Sequence, residues 1–225
     1  KYPDRNSRNP ETVFASIEDD CIRRDLTINA LYYNISTGEI IDMVGGQNDI
    51  ENKVIRTTNE NPDIIFDDDP LRILRCCRFS VRYGWEIEPK TYESMKRYVD
   101  RLEIISKERI KDEFNKILLS DNATMGIRTL CDIGAMKYII PEVEEMIGME
   151  QNAFHFGDVF EHTMALLDYD TKHFKDGDVA VRLALLLHDI GKIRTRSVGD
   201  DGRVHFYDHE FVGSEMVVDI LKNLK

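Results

Sequence analysis

Apolar residues recur at three- and four-residue spacing over most of this 225-residue chain, in blocks separated by Pro, Gly or polar breaks. Segments at about 70–83, 89–101, 106–119 and 122–134 carry this pattern and predict four helices. Pro141 interrupts the series, and further helices are expected at about 158–169, 178–189 and 208–224. The front of the chain reads differently. The first 20 residues, with Pro3 and Pro10, are polar and turn-rich and predict a loop. Asp25 is placed to cap a helix from 26 to about 33, with Leu26, Ala30 and Tyr33 on one stripe. Thr37-Gly38 turns into a short strand over 39–43, Gly45-Gly46 makes another turn, and 54–58 resembles a second short strand. The fold class is therefore mainly α: the end of an α/β unit, then an all-helical array from near residue 60. No internal repeat or low-complexity tract interrupts it.

Composition narrows the class. A hydrophobic fraction of 42% and a charged fraction of 32% describe a globular protein with a sizeable core. No apolar run approaches the roughly 18 residues of a membrane span. The polar start has no signal-peptide core and no initiating Met, which predicts a fragment or a processed product. Cys21, Cys76, Cys77 and Cys131 form no CxxC pair, so a reducing cytoplasm is the expected compartment. Adjacent Cys76 and Cys77 read as small core residues. The net charge of −12 argues against indiscriminate nucleic-acid binding. Yet residues 70–119 hold twelve Lys/Arg against eight Asp/Glu, while 138–178 hold two against ten. A phosphate-rich partner belongs along the middle helices; otherwise these are ordinary solvated faces.

Asp69-Pro70-Leu71-Arg72 carries the sharpest chemistry. Pro70 suits a helix start, and Leu74, Cys77 and Val81 continue a stripe as far as Gly84. Asp69 and Arg72 then stand one turn apart, an acceptor beside a donor fork that can address the edge of a nucleobase. The plainer alternative is a helix cap with an i,i+3 ion pair. Three other segments accompany it: Arg23-Arg24-Asp25-Leu26-Thr27-Ile28-Asn29-Ala30, Asp42-Met43-Val44-Gly45-Gly46, and Glu108-Arg109-Ile110-Lys111-Asp112-Glu113. With Asp68-Asp69-Pro70-Leu71-Arg72 they occur in an order and spacing that resemble the class II tRNA nucleotidyltransferases, the CCA-adding enzymes and their bacterial poly(A) polymerase relatives.

That resemblance implies roles. Arg23 and Arg24 would grip the nucleotide's phosphates, and Asp25 or Asn29 its ribose. The Asp42 segment would be a flexible link between head and neck. Asp69 and Arg72 would select C or A, with Asp68, one methylene shorter than the Glu of many members, orienting the arginine. Arg75 would help receive the nucleotide, and Arg78 and Arg82 RNA, unless they are simple surface charge. The segment from Glu108 to Glu113 fits a structural ion-pair network. The implied parts are residues 1–60, the end of a nucleotidyltransferase head; 61–137, a helical neck for nucleotide selection and RNA binding; and 138–225, an HD-like helical body. The implied reaction joins CMP or AMP from CTP or ATP to a tRNA 3′ end. It uses Mg²⁺ held by a carboxylate pair with no match before Arg23, so no catalytic residue is expected in this chain, which should not polymerise alone.

Glu161-His162-Thr163, Leu187-His188-Asp189-Ile190-Gly191-Lys192 and His209-Glu210 resemble an HD domain. The HD resemblance implies a divalent metal on His162, His188, Asp189 and His209, of the Mn, Ni or Co type by ligand chemistry. His205 stands four residues before His209 and could add a ligand. Asp219 is the nearest later Asp. The rival function is accordingly a metal-dependent phosphohydrolase acting on phosphoesters; a second rival is a nucleic-acid-binding segment without chemistry. Oligomeric state is not readable from the sequence.

Overall fold

Ser16 starts α1 (Ile17–Arg23) with a reciprocal cap: the Asp19 N–H donates to Ser16 Oγ at 3.1 Å, and the Asp19 carboxylate accepts from the Ser16 backbone. The structure, a computed structural model, describes residues 16–151, 157–174, 176–200 and 202–224. The loop expected over the first 20 residues is thus helical from Ile17, and its first 15 residues lie outside the described ones.

The helix expected from 26 to 33 does not form. Leu26 bridges to Thr57, Thr27–Asn29 make a single 3-10 turn, and Leu31–Tyr33 is β1. Leu26 and Ala30 are wholly buried but Tyr33 is 65% exposed, so the apparent stripe never shared one face. β1 pairs antiparallel with β2 (Ile40–Asp42), Leu31 opposite Asp42 and Tyr33 opposite Ile40. Gly45 then adopts φ +79° and opens α2 (Gly46–Glu51), an element the sequence reading took for a bare turn. The Asp42 carboxylate accepts from the N–H groups of Val44, Gly45, Gly46 and Gln47 at 2.9–3.2 Å. In the segment expected to link head and neck, one carboxylate thus organises the turn. Gly46 is required by contact: a Cβ there would lie 2.4 Å from the Thr27 carbonyl oxygen.

β3 (Val54–Ile55) leads to α3 (Pro62–Asp68), whose Asn61 cap accepts from the Asp63 N–H, with Pro62 at its first turn. α4 (Leu71–Tyr83) follows Pro70 and ends at Gly84 in the left-handed region. Its buried face includes Leu74, Cys77 and Val81, as the spacing predicted, and both Cys76 and Cys77 are core residues. The polypeptide is not helical throughout beyond Pro62, because β4 (Glu86–Ile87) returns to pair in parallel with β3. α5 (Pro89–Tyr98) packs on α3, where Asp63 receives hydrogen bonds from Ser94 and Arg97. The expected helix over 89–101 ends early, in 3-10 turns over Val99–Ile104.

The described residues fall into two compact units, divided between Ser106 and Lys107. The second unit contains α6 (Lys107–Leu118), α7 (Ala123–Asp132), the short α8 (Glu142–Glu145), α9 (Val159–His173), α10 (Val179–Leu187), α11 (Lys192–Thr195), a two-residue hairpin of β5 (Ser197–Val198) with β6 (Val204–His205), and α12 (His209–Asn223). α10 packs on α9 and α6, and α7 on α6 and α9. Arg182 on α10 is wholly buried at their centre. It donates to Asp170 at 2.9 Å and to the carbonyls of Leu118 and Ser120 at 2.7 and 2.9 Å, which serves the unpaired carbonyl end of α6.

Candidate functional site

Two side-chain clusters emerge, one in each unit. In the first, α1 ends by placing Arg23 and Arg24 one turn beyond Asp20, so all three meet on one face. Arg23 Nε and Arg24 Nε donate to the Asp20 carboxylate at 2.8 and 2.9 Å, and the Tyr32 hydroxyl donates to it as well. These donors hold the Asp20 carboxyl well below the usual carboxylate range, with Tyr32 the largest cause and the arginines next. Arg24 also reaches the Asn29 carbonyl at 3.0 Å and is fixed in place, whereas the Arg23 side chain is 63% exposed.

Arg23 and Arg24, with Asp19, Asp20, Asp68 and Arg72, line a cavity of about 550 Å³ whose apolar lining is Ile22, Ile64 and Ile65. Arg72 comes from the first turn of α4 and is mostly buried. Its guanidinium pairs with Asp68 at 3.2 Å and reaches the Ile65 carbonyl at 3.4 Å. Asp68 is thus the acid paired with this arginine, four residues before it. Asp69 sits at the junction of α3 and α4 in an extended conformation, and its carboxylate accepts from the Leu71 N–H at 3.1 Å, capping α4.

The other expected nucleotide residues fall outside this cavity. Asp25 is buried and accepts from Arg75 Nε at 2.6 Å and from the Asn29 amide at 3.2 Å. Asp25, Asn29 and Arg75 thus form a bracket that ties the start of the 3-10 turn to α4. Arg78 and Arg82 lie farther along α4, their guanidinium groups against the rings of Phe79 and Tyr83. Asp20 was missed by the sequence reading. Its signal was available: an acid three and four residues before two arginines is an ion-pair pattern once residues 17–23 are read as a helix.

The second cluster joins three elements. His162 projects from α9, His188 and Asp189 end α10, and His209 opens α12. His188 Nε2 lies 3.1 Å and His162 Nε2 3.8 Å from Asp189 Oδ2, while His209 Nε2 lies 3.6 Å from Asp189 Oδ1. Donor atoms of His162, His188 and Asp189 all fall within 4.8 Å of one another, close enough to hold one metal ion. His188 Nδ1 faces the Leu185 carbonyl at 2.8 Å and His209 Nδ1 the Phe206 carbonyl at 2.8 Å. Donation there leaves each Nε2 lone pair for the cluster. Lys192 is buried and donates to Asp189 Oδ2 at 2.7 Å and to Gln151 at 2.8 Å, so it already neutralises that carboxylate.

Burial alone would raise the Asp189 pKa, but His188 and Lys192 outweigh it and hold the carboxyl low. Burial likewise opposes charging His188, and the hydrogen bonds to Asp189 and Leu185 reverse that and raise it. α12 reaches this cluster because Gly191 has no side chain: a Cβ would stand 2.0 Å from the His209 carbonyl oxygen. His205 takes no part and stacks on Tyr207 at 5.0 Å. Asp219 is exposed and pairs with Lys222.

A cavity lined by three arginines and three aspartates in one unit, and a His/Asp cluster with metal-ligand spacing in the other, fit the class of HD-bearing proteins with a polar ligand cavity. Comparison with known proteins narrows that class. Residues 1–56 match the poly A polymerase head domain, residues 84–147 a probable RNA and SrmB-binding site of polymerase A, and residues 155–225 the HD domain. An A-adding tRNA nucleotidyltransferase of Deinococcus radiodurans is 36% identical over 93% of this chain and 49% of its own length. A multifunctional CCA protein of Acinetobacter baumannii is 39% identical over 80% of this chain and 44% of its own. The Bacillus stearothermophilus CCA-adding enzyme, solved in complex with CTP, superimposes with a TM-score of 0.57 at 31% identity, covering 61% of this chain and 35% of that one. The chain carries, in order, the poly A polymerase head, the polymerase A RNA-binding segment and an HD domain, and is similar over most of its length to tRNA nucleotidyltransferases. It spans about half the length of the curated relatives it matches.

Proposed function

We propose that this chain is the nucleotide-selecting and RNA-binding part of an enzyme that adds CMP or AMP, from CTP or ATP, to the 3′ end of tRNA with release of pyrophosphate. The observation that carries this reading is Arg72, braced by Asp68, in the same cavity as Arg23 and Arg24. Arg72 keeps N–H donors for a base edge, and Asp68 supplies an acceptor in the same cavity. Arg23, the more exposed of the basic pair, takes phosphate oxygens by a forked contact, with Arg24 behind it. Arg78 and Arg82 are assigned to RNA, and Asp25, Asn29 and Arg75 to holding the nucleotide cavity in shape. Bidentate contacts of this kind discriminate among bases by about 1–3 kcal/mol each, so one arginine and its acid suffice to prefer two bases.

In functional terms we assign residues 1–60 to a head, 61–137 to a neck and 138–225 to an HD body. The packing units divide within the neck so defined. The transfer needs Mg²⁺, which when bound neutralises charge and orients the attacking 3′ hydroxyl. Asp20, the most deeply placed acid of the cavity, does not fit that role because two arginines and a tyrosine already occupy it. No transfer step is assigned to residues of this chain. Among the described residues no helix is long and apolar enough to cross a membrane, and the cytoplasm is the proposed site of action.

A second reading applies to the other unit, where the cluster of His162, His188 and Asp189 favours a divalent metal of the Mn, Ni or Co type. Such an ion supplies an activated water for phosphoester hydrolysis, and His209 and Lys192 flank it.

Competition binding tests the first reading. The parent chain should prefer CTP and ATP over GTP and UTP by about tenfold or more, and Arg72→Ala should flatten the preference more than it weakens overall binding. Unchanged selectivity in the variant would remove the reader from Arg72. Calorimetric titration with Mn²⁺ tests the second: binding in the parent and none in His188→Ala is the expected result.

A further inference from the structure

The far end of α4 carries a feature that nucleotide selection does not use. Arg78 lies 4.4 Å from the Phe79 ring centroid and Arg82 5.6 Å from that of Tyr83. Phe79 and Tyr83 stack at 6.1 Å with planes 20° apart, and Tyr83 meets Trp85 at 4.9 Å. Phe79 is 7% exposed, Tyr83 44% exposed and Trp85 half-buried, so the stack opens to solvent at Tyr83. Gly84, at φ +67°, lets the backbone reverse within one residue so that the indole returns to the tyrosine. The reversal is locked: the Trp85 N–H donates to the Ser80 carbonyl at 3.0 Å, and Ser80 Oγ donates to the Trp85 carbonyl at 2.6 Å.

We propose that Tyr83 and Trp85 form a stacking platform for a base of single-stranded RNA, with Arg78 and Arg82 beside it for the flanking phosphates. The proposal rests on the RNA-binding part of the reading above and adds the site and its chemistry. An aromatic row alternating with guanidinium groups is the combination that holds unpaired nucleotides, because every base has a π-face and every linkage a negative charge. A ring needed only for the core is covered by the core, whereas Tyr83 leads the stack out to solvent. Fixed rings also lose little freedom on binding, so the stacking energy is not spent on ordering them. Within the same unit, residues 70–106 hold eight Lys/Arg against five Asp/Glu, an excess of the sign that RNA requires. Trp85 moreover lies inside the stretch matching a probable RNA-binding site.

Trp85 is the single tryptophan of the chain, so its emission reports on this place alone. The 225-residue chain is titrated with a short, dye-labelled single-stranded RNA ending in two cytidines, following dye anisotropy and tryptophan emission together. An abasic oligonucleotide of equal length and charge is the control. The expected result is quenching with the same midpoint as the anisotropy change, and no quenching by the abasic strand. Tyr83→Leu and Trp85→Leu should weaken RNA binding about tenfold, and Trp85→Phe should restore it, with far-UV circular dichroism unchanged. Anisotropy that reports binding while Trp85 emission stays constant would overturn the platform and leave RNA binding standing. Absence of any binding would overturn both, and the separate CTP competition would still decide nucleotide selection. The quenching arm uses the unaltered protein, so a variant that fails to fold does not remove the test.

Discussion

Arg72 and Arg182 show how differently one side chain is used at two depths. Arg72 keeps 16% of its side chain exposed, spends part of its fork on Asp68 and holds the rest toward a cavity. Arg182 has no exposure and joins one carboxylate to two carbonyls. On the proposed function the first recognises a base, whereas the second holds the fold together. Removing Arg182 leaves Asp170 charged and buried and the end of α6 unserved, so Arg182→Ala should cost about 3–5 kcal/mol. Urea unfolding measures this, and a change below about 1 kcal/mol would show that water takes the place of the guanidinium. Cysteine behaves as the sequence suggested: burial drives the Cys77 thiol up to about 12, and a thiolate is not available at neutral pH. The pairing of Arg72 with Asp68 was half legible. An i,i+3 argument favoured Asp69, but the bend between α3 and α4 takes Asp69 out of the helix and gives it to the Leu71 N–H.

At the scale of elements, the helices that were legible are those with a long apolar period and a clear stop. α4 has both, ending at Gly84, and α6, α7, α9, α10 and α12 likewise lie where the spacing put them. The front of the chain resisted the same reading because its elements are too short to show a period. β1, β2 and β3 have three, three and two residues, and α2 has six. What holds them is tertiary: Thr27 Oγ1 donates to Asp49 at 2.7 Å, and Thr58 Oγ1 reaches the Ile22 and Arg24 carbonyls. A single sequence does not display such contacts. Glycine was similarly opaque, since Gly191 looks like part of a motif but is required by the approach of α12. Gly191→Ala should destabilise by about 1–3 kcal/mol and move His209 away from Asp189. A chemical-denaturation midpoint equal to the parent's would show that α12 shifts freely.

Across the molecule, the legible part was the order of the family segments along the chain, and the illegible part was which side chains share a space. Of the eight residues assigned to the nucleotide, Arg23, Arg24, Asp68 and Arg72 share one cavity, while Asp25, Asn29 and Arg75 form the bracket behind it and Asp69 caps α4. The four residues assigned to a metal do converge, with Asp189 at their centre.

Acid stability is a property of the whole first unit. Asp20 and Asp63 are held low chiefly by side-chain donors, and Asp42 by four backbone N–H groups that outweigh its burial. Each is depressed below the ordinary value of 3.8. Their contribution is therefore complete above that value and is lost as pH falls through the lower folded values. The urea midpoint of the first unit, followed by Trp85 emission, should be level from about pH 7 to 5 and fall below about pH 4, less steeply in Asp42→Asn. A midpoint independent of pH down to about 3 would mean that these acids bond equally well in the unfolded chain.

The most direct test of the central claim is a crystal structure of the chain soaked with CTP. The cytosine edge should lie within hydrogen-bonding distance of the Arg72 guanidinium, with the triphosphate toward Arg23. A base bound elsewhere, with Arg72 still closed on Asp68, would contradict the account.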